Sequence, residues 1–122
     1  MIDLIDSAIL IDYLRGRDEA RALLEASDEI VASEITRYEV LAGVRPGEES
    51  RTEDVLELPA WVDVDEGISR RAADLARRYR LSFSGIEDAD YLIAATALDL
   101  EARLLTTNVR HFPMLTGLEP AY

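Results

Sequence analysis

The sequence has no cysteine, no lysine and only one histidine, His111, among its 122 residues. Without cysteine, a disulfide framework, a thiolate nucleophile and a thiolate metal site are all excluded. A single histidine also excludes a zinc site built on imidazole ligands. No apolar run approaches the roughly 18 residues of a membrane span. The chemistry of this protein therefore depends on carboxylate, hydroxyl, amide and guanidinium groups.

The charge of the chain is strongly one-sided. There are 25 acidic and 13 basic residues, all of the latter arginine, which gives a net charge of −12 at pH 7. A strongly acidic chain is not expected to bind nucleic acid, because the phosphate backbone is normally bound by positive charge. That objection weakens if cations occupy several acids or if the arginines cluster on one face. The acidic N-terminus lacks the basic region of a signal peptide, so we expect a soluble cytoplasmic protein.

The length and the balance of 48% apolar and 31% charged residues indicate one globular domain over residues 1–122. Short apolar segments predict strands at 2–6, 29–33, 61–65 and 103–107, with a possible last strand at 117–120. Helical spacing or capping signals predict helices at 7–14, 18–26, 36–43, 48–58, 66–81 and 89–100. This alternation predicts a three-layer α/β domain with a mainly parallel sheet covered by helices on both faces.

Capping residues indicate where some of these helices start. Ser7 is the predicted N-cap of the first helix, and Thr36 with Glu39 has the form of a capping box that leads the third. The helix at 89–100 is almost wholly apolar after Asp90, so we expect it to be buried.

Oxygen-bearing side chains follow several predicted strands. Asp6 ends the first strand, Glu39 lies early in the helix after the second, Asp88 and Asp90 open the apolar helix, and Asn108 follows a late strand. Ligands of parallel sheets bind beyond the carboxyl ends of the strands, so these side chains can converge on one edge. Hard oxygen ligands suit Mg²⁺ or Mn²⁺, which can activate water and stabilise charge on a phosphodiester.

Each of these residues also has an ordinary structural interpretation. Asp6 and the acids at 87, 88 and 90 can complement the positive end of a helix. Glu39 can bond back to a cap at Thr36, and Asn108 can be a turn residue. Taken one at a time, the residues leave both interpretations open.

Four stretches, taken together, resemble the PIN-domain toxins of the VapC type. They are IDSAILIDYL from Ile5, SEITRYEVLAG from Ser33, DADYLIAATAL from Asp88 and LTTNVRHF from Leu105. They occur in order and cover the chain end to end. The resemblance implies a metal-dependent endoribonuclease that cuts structured cellular RNA, forms a homodimer and is held in check by a small antitoxin protein.

By position, the resemblance implies that Asp6, Glu39 and Asp90 are catalytic and hold Mg²⁺, with Mn²⁺ as a substitute and Asn108 as a neutral fourth participant. Ser7 and Thr106 keep hydroxyl groups that are usual beside these acids. Other positions depart from the pattern: Ala8 lacks a small polar side chain, Thr107 replaces a frequent arginine, and Asn108 and His111 stand where acids are common. Three carboxylates imply weaker metal binding, or one ion rather than two.

The remaining candidates support the site from nearby. We rank Asp88 as a supporting or N-cap acid, since it does not share a helix face with Asp90. We expect His111 at the surface near the site, with a role in proton transfer left open. The possible RNA contacts near the motifs are Arg15, Arg17, Arg37 and Arg110. The four arginines at 70, 71, 77 and 78 are assigned to solvated helix surface.

Two points stay open at this stage. The apolar stripe of Ile9, Leu10, Tyr13 and Leu14 on the first helix either forms a homodimer or antitoxin interface or packs on the sheet. A PIN-like binding module that has lost catalysis, or a PIN nuclease of RNA processing, are other functions compatible with the sequence. The departures at Ala8, Thr107 and Asn108 favour the binding module, and the three retained acids argue against it.

Overall fold

The computed structural model describes all 122 residues as strands alternating with helices. The strands are β1 (Ile2–Ile5), β2 (Glu29–Ser33), β3 (Ala60–Val62) and β4 (Arg103–Leu105). The helices are α1 (Ser7–Leu14), α2 (Asp18–Ala26), α3 (Glu34–Ala42), α4 (Glu49–Val55), α5 (Glu66–Tyr79) and α6 (Asp88–Leu100), followed by a 3₁₀ turn (Val109–His111). None of these helices combines the length and the apolar character needed to cross a bilayer.

The four strands form one parallel sheet in the order β3-β2-β1-β4. Alternate residues of each central strand point to opposite faces, so Leu4 packs with α5 and α6, whereas Ile5 packs with α1 and α3. As expected, α6 is buried along most of its length. The predicted three-layer α/β architecture is confirmed.

The strand order creates a crevice at the carboxyl edge of the sheet. The chain proceeds from β1 outward to β2 and β3, and then returns to place β4 on the other side of β1. The strand order therefore reverses at β1, and ligands of α/β sheets bind in the crevice that opens at such a point. Asp6 follows β1 directly at this point, and Thr106 follows β4.

Two of the predicted helix starts are wrong. Asp6, not Ser7, is the N-cap of α1, since Asp6 Oδ1 accepts the Ser7 backbone N–H at 2.8 Å. The N-cap of α3 is Ser33, whose hydroxyl accepts the Ile35 N–H at 3.2 Å. Because Ser33 supplies a cap at the very end of β2, the helix starts before Thr36, and the predicted Thr36–Glu39 capping box does not form. Glu39 is therefore not needed as a cap.

Several element ends also differ from the sequence predictions. The segment 117–120 is not a strand: Gly117 has φ of 75° and Pro120 has no N–H to donate, although Ala121 N–H donates to Thr106 C=O at 2.9 Å. α5 stops at Tyr79, whose carbonyl accepts a turn hydrogen bond from the Phe83 N–H at 2.9 Å. The strands β1, β3 and β4 and the helix α4 are each shorter than predicted.

The apolar stripe on α1 packs inward. Ile9 and Leu10 have no exposed surface and Leu14 is buried, while Tyr13 is half-buried against the same cluster. The interpretation of this stripe as packing on the sheet is therefore correct, and α1 does not present it to a partner. The large apolar side chains that remain exposed include Tyr38 and Leu41 on α3.

Candidate active site

Asp6 is fixed by contacts from two directions. Its Oδ1 accepts the Ser7 N–H, and its Oδ2 accepts the Thr106 hydroxyl at 2.8 Å, in a contact between residues 100 positions apart. The residue is 5% exposed, and burial raises the pKa of its carboxyl group despite these two hydrogen bonds. The negative charge of Asp90 raises it further. A buried carboxylate in this state favours either a proton or a nearby cation.

Glu39 reaches the same edge of the sheet from α3. Its Oε1 is buried and has no hydrogen-bond partner in the protein. Burial, together with the charges of Asp6 and Asp90, raises the pKa of Glu39 to about 7, although the nearby Ser7 side chain opposes the change. An unpartnered carboxylate oxygen is costly unless a further ligand satisfies it.

Asp90 lies in the first turn of α6. Its Oδ2 accepts the Glu87 backbone N–H at 2.9 Å and lies 3.2 Å from His111 Nδ1. Burial raises the pKa of Asp90, opposed by the Glu87 hydrogen bond and the His111 charge, whereas the Glu87 charge adds to the rise. The structure thus brings Asp6, Glu39 and Asp90 into electrostatic reach of one another, from a strand end and two helices.

The donor set suits a hard divalent cation. The three carboxylates repel one another, and one buried oxygen, Glu39 Oε1, lacks a partner. In this arrangement no three histidine or acidic side chains are close enough together to hold a metal ion by themselves. Mg²⁺ commonly keeps several waters and uses only one or two carboxylates from the protein. An open set of carboxylate oxygens therefore suits Mg²⁺ better than a metal that is enclosed by protein ligands.

Ser7 and Thr106 lie directly beside these acids. The Ser7 backbone N–H donates to Asp6, and the Ser7 side chain lies near Glu39 and opposes the rise of its pKa. Thr106 has no exposed surface, and its single hydroxyl both donates to Asp6 and accepts the Asn108 N–H at 3.0 Å. These two residues therefore orient the Asp6 carboxylate.

The turn after β4 brings three further candidates to the site. Asn108 is exposed and contacts Thr106 through its backbone N–H. His111 lies against Asp90 with 43% of its side chain exposed, so it sits nearer to the acids than a purely surface residue would. Arg110, between them, is exposed, and no carboxylate lies within ion-pair distance of it.

Asp88 points away from this cluster. It is the first residue of α6 rather than its N-cap, its side chain is 91% exposed, and it pairs with Arg80 at 3.2 Å. The acid that sequence reasoning undervalued is Glu87, the N-cap of α6, whose charge acts on both Glu39 and Asp90. Because α6 starts at Asp88, one residue earlier than predicted, Glu87 is its N-cap and Asp88 is its first helical residue.

Three of the four arginines proposed as RNA contacts are engaged elsewhere. Arg37 forms a two-pronged pair with Glu34 at 2.6 and 3.1 Å and lies 4.1 Å from the Trp61 ring centre. Arg15 lies 3.8 Å from Glu48, and Arg17 pairs with Asp12 and Glu19 near the far end of α1 from Asp6. Arg110 is the one of the four without an ion pair, and it directly precedes His111, which contacts Asp90.

A sizeable concavity of the surface lies apart from the acids. It has a volume of about 510 Å³ and is bordered by the end of α1 and by residues of α2 and α4. Arg15, Arg21 and Arg51 line it, and none of the three clustered carboxylates does. The volume of a concavity therefore does not identify the site. The carboxylates at the edge of the sheet identify it.

Comparison with known proteins agrees with this arrangement. The PIN domain model matches residues 4–114. Ribonuclease VapC19 of Mycobacterium tuberculosis is 51% identical over 123 residues, covering 98% of each chain. Ribonuclease VapC10 of the same organism is 38% identical, covering 98% of this chain and 92% of the relative. A solved toxin–antitoxin complex from Klebsiella pneumoniae has a TM-score of 0.84 and 31% identity, covering 98% of each chain.

The chain belongs to the PIN-domain family, since the family model spans most of its length. Within that family its full-length similarity is to the VapC-type ribonuclease toxins. The resemblance drawn from the four motifs is thereby confirmed.

Proposed function

We propose that this protein is a Mg²⁺-dependent endoribonuclease, the toxin of a toxin–antitoxin pair, which hydrolyses phosphodiester bonds in structured cellular RNA. The observation that carries the proposal is that Asp6, Glu39 and Asp90 lie within electrostatic reach of one another, with Glu39 Oε1 buried and unpartnered. The names of its relatives, ribonucleases, agree with that chemistry. The three retained acids argue against a PIN-like module without catalysis.

Asp6, Glu39 and Asp90 would hold the cation, with Asn108 as a neutral fourth participant. When bound, a divalent cation activates water and stabilises the charge of a phosphodiester under attack. Thr106 and Ser7 fix the Asp6 carboxylate, and His111 with the Glu87 N–H fixes Asp90 through Oδ2. The hydrogen bonds from Ser7, Thr106 and Glu87 thus orient Asp6 and Asp90 before any cation binds.

Arg110 would bind an RNA phosphate next to the cluster. It is exposed and unpaired, so its guanidinium can bond to a phosphate without first breaking an ion pair. This local positive charge partly answers the objection raised by a net charge of −12. Arg15, Arg17 and Arg37 are already paired with carboxylates and would contribute less.

The partners are a cognate antitoxin and a second copy of the chain. The similarity to a chain of a toxin–antitoxin complex supports the antitoxin. For the homodimer, Tyr38 and Leu41 on α3 are 66% and 41% exposed and lie on one side of the helix. Light scattering at high protein concentration tests self-association, and a monomer with and without the antitoxin contradicts it.

An RNA cleavage assay tests the proposed enzyme directly. The protein is freed of divalent ions with a chelator, and cleavage of a structured RNA pool such as total transfer RNA is followed as Mg²⁺ or Mn²⁺ is restored. We expect cleavage only with the metal, and its loss in Asp90→Asn but not in the matched Asp88→Asn control. Cleavage in the complete absence of divalent ions would refute the metal role. Its absence from wild type in both metals would favour the binding module.

A further inference from the structure

We propose that Tyr122 is a positioning residue for the candidate active site, acting on Asp6 through Ala121 and Thr106. This inference rests on the proposed function, because it concerns how firmly Asp6 is prepared for a divalent cation. None of the four motifs contains Tyr122, and its side chain forms no hydrogen bond with Asp6, Glu39 or Asp90. Its contribution comes from a closed ring of contacts in which Asp6 is one member.

The first part of the ring attaches Tyr122 to α1. The Tyr122 hydroxyl donates to Asp12 Oδ2, and the Arg17 guanidinium lies 4.9 Å from the centre of the Tyr122 ring. Arg17 Nη1 is also 3.7 Å from the same Asp12 oxygen. Burial and the contact with Asp12 raise the pKa of Tyr122, so the hydroxyl remains a donor at every pH used for an assay.

The second part leads from this anchor to the end of β4. Ala121 and Tyr122 are half-buried and pack on the apolar cluster beneath α1. The Ala121 N–H donates to the Thr106 carbonyl at 2.9 Å, although no strand forms around it. No ladder flanks this hydrogen bond, and the neighbouring Tyr122 side chain, anchored on α1, holds the segment against the end of β4.

The third part reaches the acid. Thr106 donates its only hydroxyl proton to Asp6 Oδ2, and Thr106 Oγ1 accepts the Asn108 N–H. Asp6 in turn caps α1, the helix that carries Asp12. The ring therefore closes on itself: a shift of the Ala121 segment moves the Thr106 backbone, and the Asp6 carboxylate loses the donor that orients Oδ2.

The test is Tyr122→Phe, which removes the hydroxyl group and keeps the ring. Mn²⁺ binding is measured by calorimetry, and amide hydrogen exchange is followed by NMR at Ala121, Asn108 and Ser7. Partners that orient metal ligands typically contribute about 10–100-fold in affinity, and a residue one step further away should contribute roughly threefold to tenfold. We expect that loss of Mn²⁺ affinity, together with faster exchange at Ala121 and Asn108.

Three companion variants separate positioning from general stability. Tyr79→Phe removes the hydroxyl of a half-buried tyrosine on the other face of the sheet, and should change neither readout. Asp12→Ala should reproduce Tyr122→Phe, and the double variant should be no worse than either single one. Thr106→Val should weaken Mn²⁺ binding more than Tyr122→Phe, whereas Thr106→Ser should restore it.

The outcomes are distinct from those of the proposed function. A Tyr122→Phe protein with a lower melting temperature but unchanged Mn²⁺ affinity and unchanged exchange at Asn108 has lost only a structural contact, which overturns the inference. If wild type binds no Mn²⁺ and cuts no RNA, the proposed function fails, and exchange at Asn108 and Ser7 still decides whether Tyr122 holds Asp6.

Discussion

His111 Nδ1 lies 3.2 Å from Asp90 Oδ2, the same oxygen that accepts the Glu87 N–H at 2.9 Å. The Glu87 N–H and the His111 ring nitrogen thus both lie against one oxygen of the carboxylate, and neither contact uses Oδ1. Asp90 therefore stabilises the start of α6 and still offers an oxygen to a cation. The structural and the functional interpretations of this residue are compatible with each other.

Neutralising any one of the clustered acids should abolish cleavage. Asp6→Asn, Glu39→Gln and Asp90→Asn each remove a negative oxygen from the cation's surroundings, and we expect activity to fall by roughly 100-fold or more. Asp88→Asn is the matched control, since its side chain faces Arg80 and solvent. Rates on a structured RNA at saturating Mg²⁺ measure the effect. Normal cleavage by Asp90→Asn with loss in Asp88→Asn would show that the wrong acid of α6 was assigned.

The same substitutions should not weaken the fold when metal is absent. The acids repel one another, so removing one charge should leave the apo melting temperature unchanged or higher. In Mg²⁺ the order should reverse, because only wild type gains stability from the bound cation. Melting curves with a chelator and with Mg²⁺ show this, and a large apo loss in Glu39→Gln would mean that Glu39 has a structural role.

The stability of the metal-free protein should decrease as the pH rises. The pKa of Glu39 is about 7 in the folded protein against an ordinary 4.5, so the native state holds more protons between these values. The stabilisation is complete below about 4.5 and is lost as the pH rises through about 7. After allowance for partial exposure, we expect roughly 1–2 kcal/mol. Denaturant titrations in chelator measure it, and Glu39→Gln should flatten the profile.

Arg110→Gln should weaken substrate binding more than catalysis. Losing one charge-assisted contact to phosphate should raise KM about tenfold, with kcat at saturating RNA changed much less. The salt dependence of KM should also become shallower. Arg71→Gln, an exposed arginine of α5 without an ion pair, is the control. Equal effects of the two variants would indicate a general response to charge rather than a contact at the site.

Arg103→Ala should destabilise the sheet. Arg103 binds both oxygens of Asp3 at 2.8 and 3.1 Å, and the two residues are paired across β1 and β4. Burial alone would raise the pKa of Asp3, but the hydrogen bonds and the charge of Arg103 outweigh it and lower that pKa. Without Arg103 a buried carboxylate is left unpaired, at a cost of about 1–3 kcal/mol. Urea unfolding at pH 7 measures it, and Asp3→Asn added to Arg103→Ala should recover part of the loss.

The sequence by itself determined the architecture, because hydrophobic periodicity is a local property. Short apolar segments and amphipathic helices alternate along the chain, and that pattern suffices for a parallel sheet covered by helices. The apolar run after Asp90 likewise predicted a buried helix, and α6 is one. The four motifs, present in order, were enough to indicate the family.

Only the tertiary structure decided which polar side chains meet. Glu87, Asp88 and Asp90 are close neighbours in sequence, but successive helical residues turn by about 100°, so one faces Arg80 while the others act on Glu39. Likewise, the contact of Thr106 with Asp6 joins residues 100 positions apart. Such contacts depend on the strand order and on the exact residue at which each helix starts. A local pattern of residue types specifies neither the strand order nor that residue.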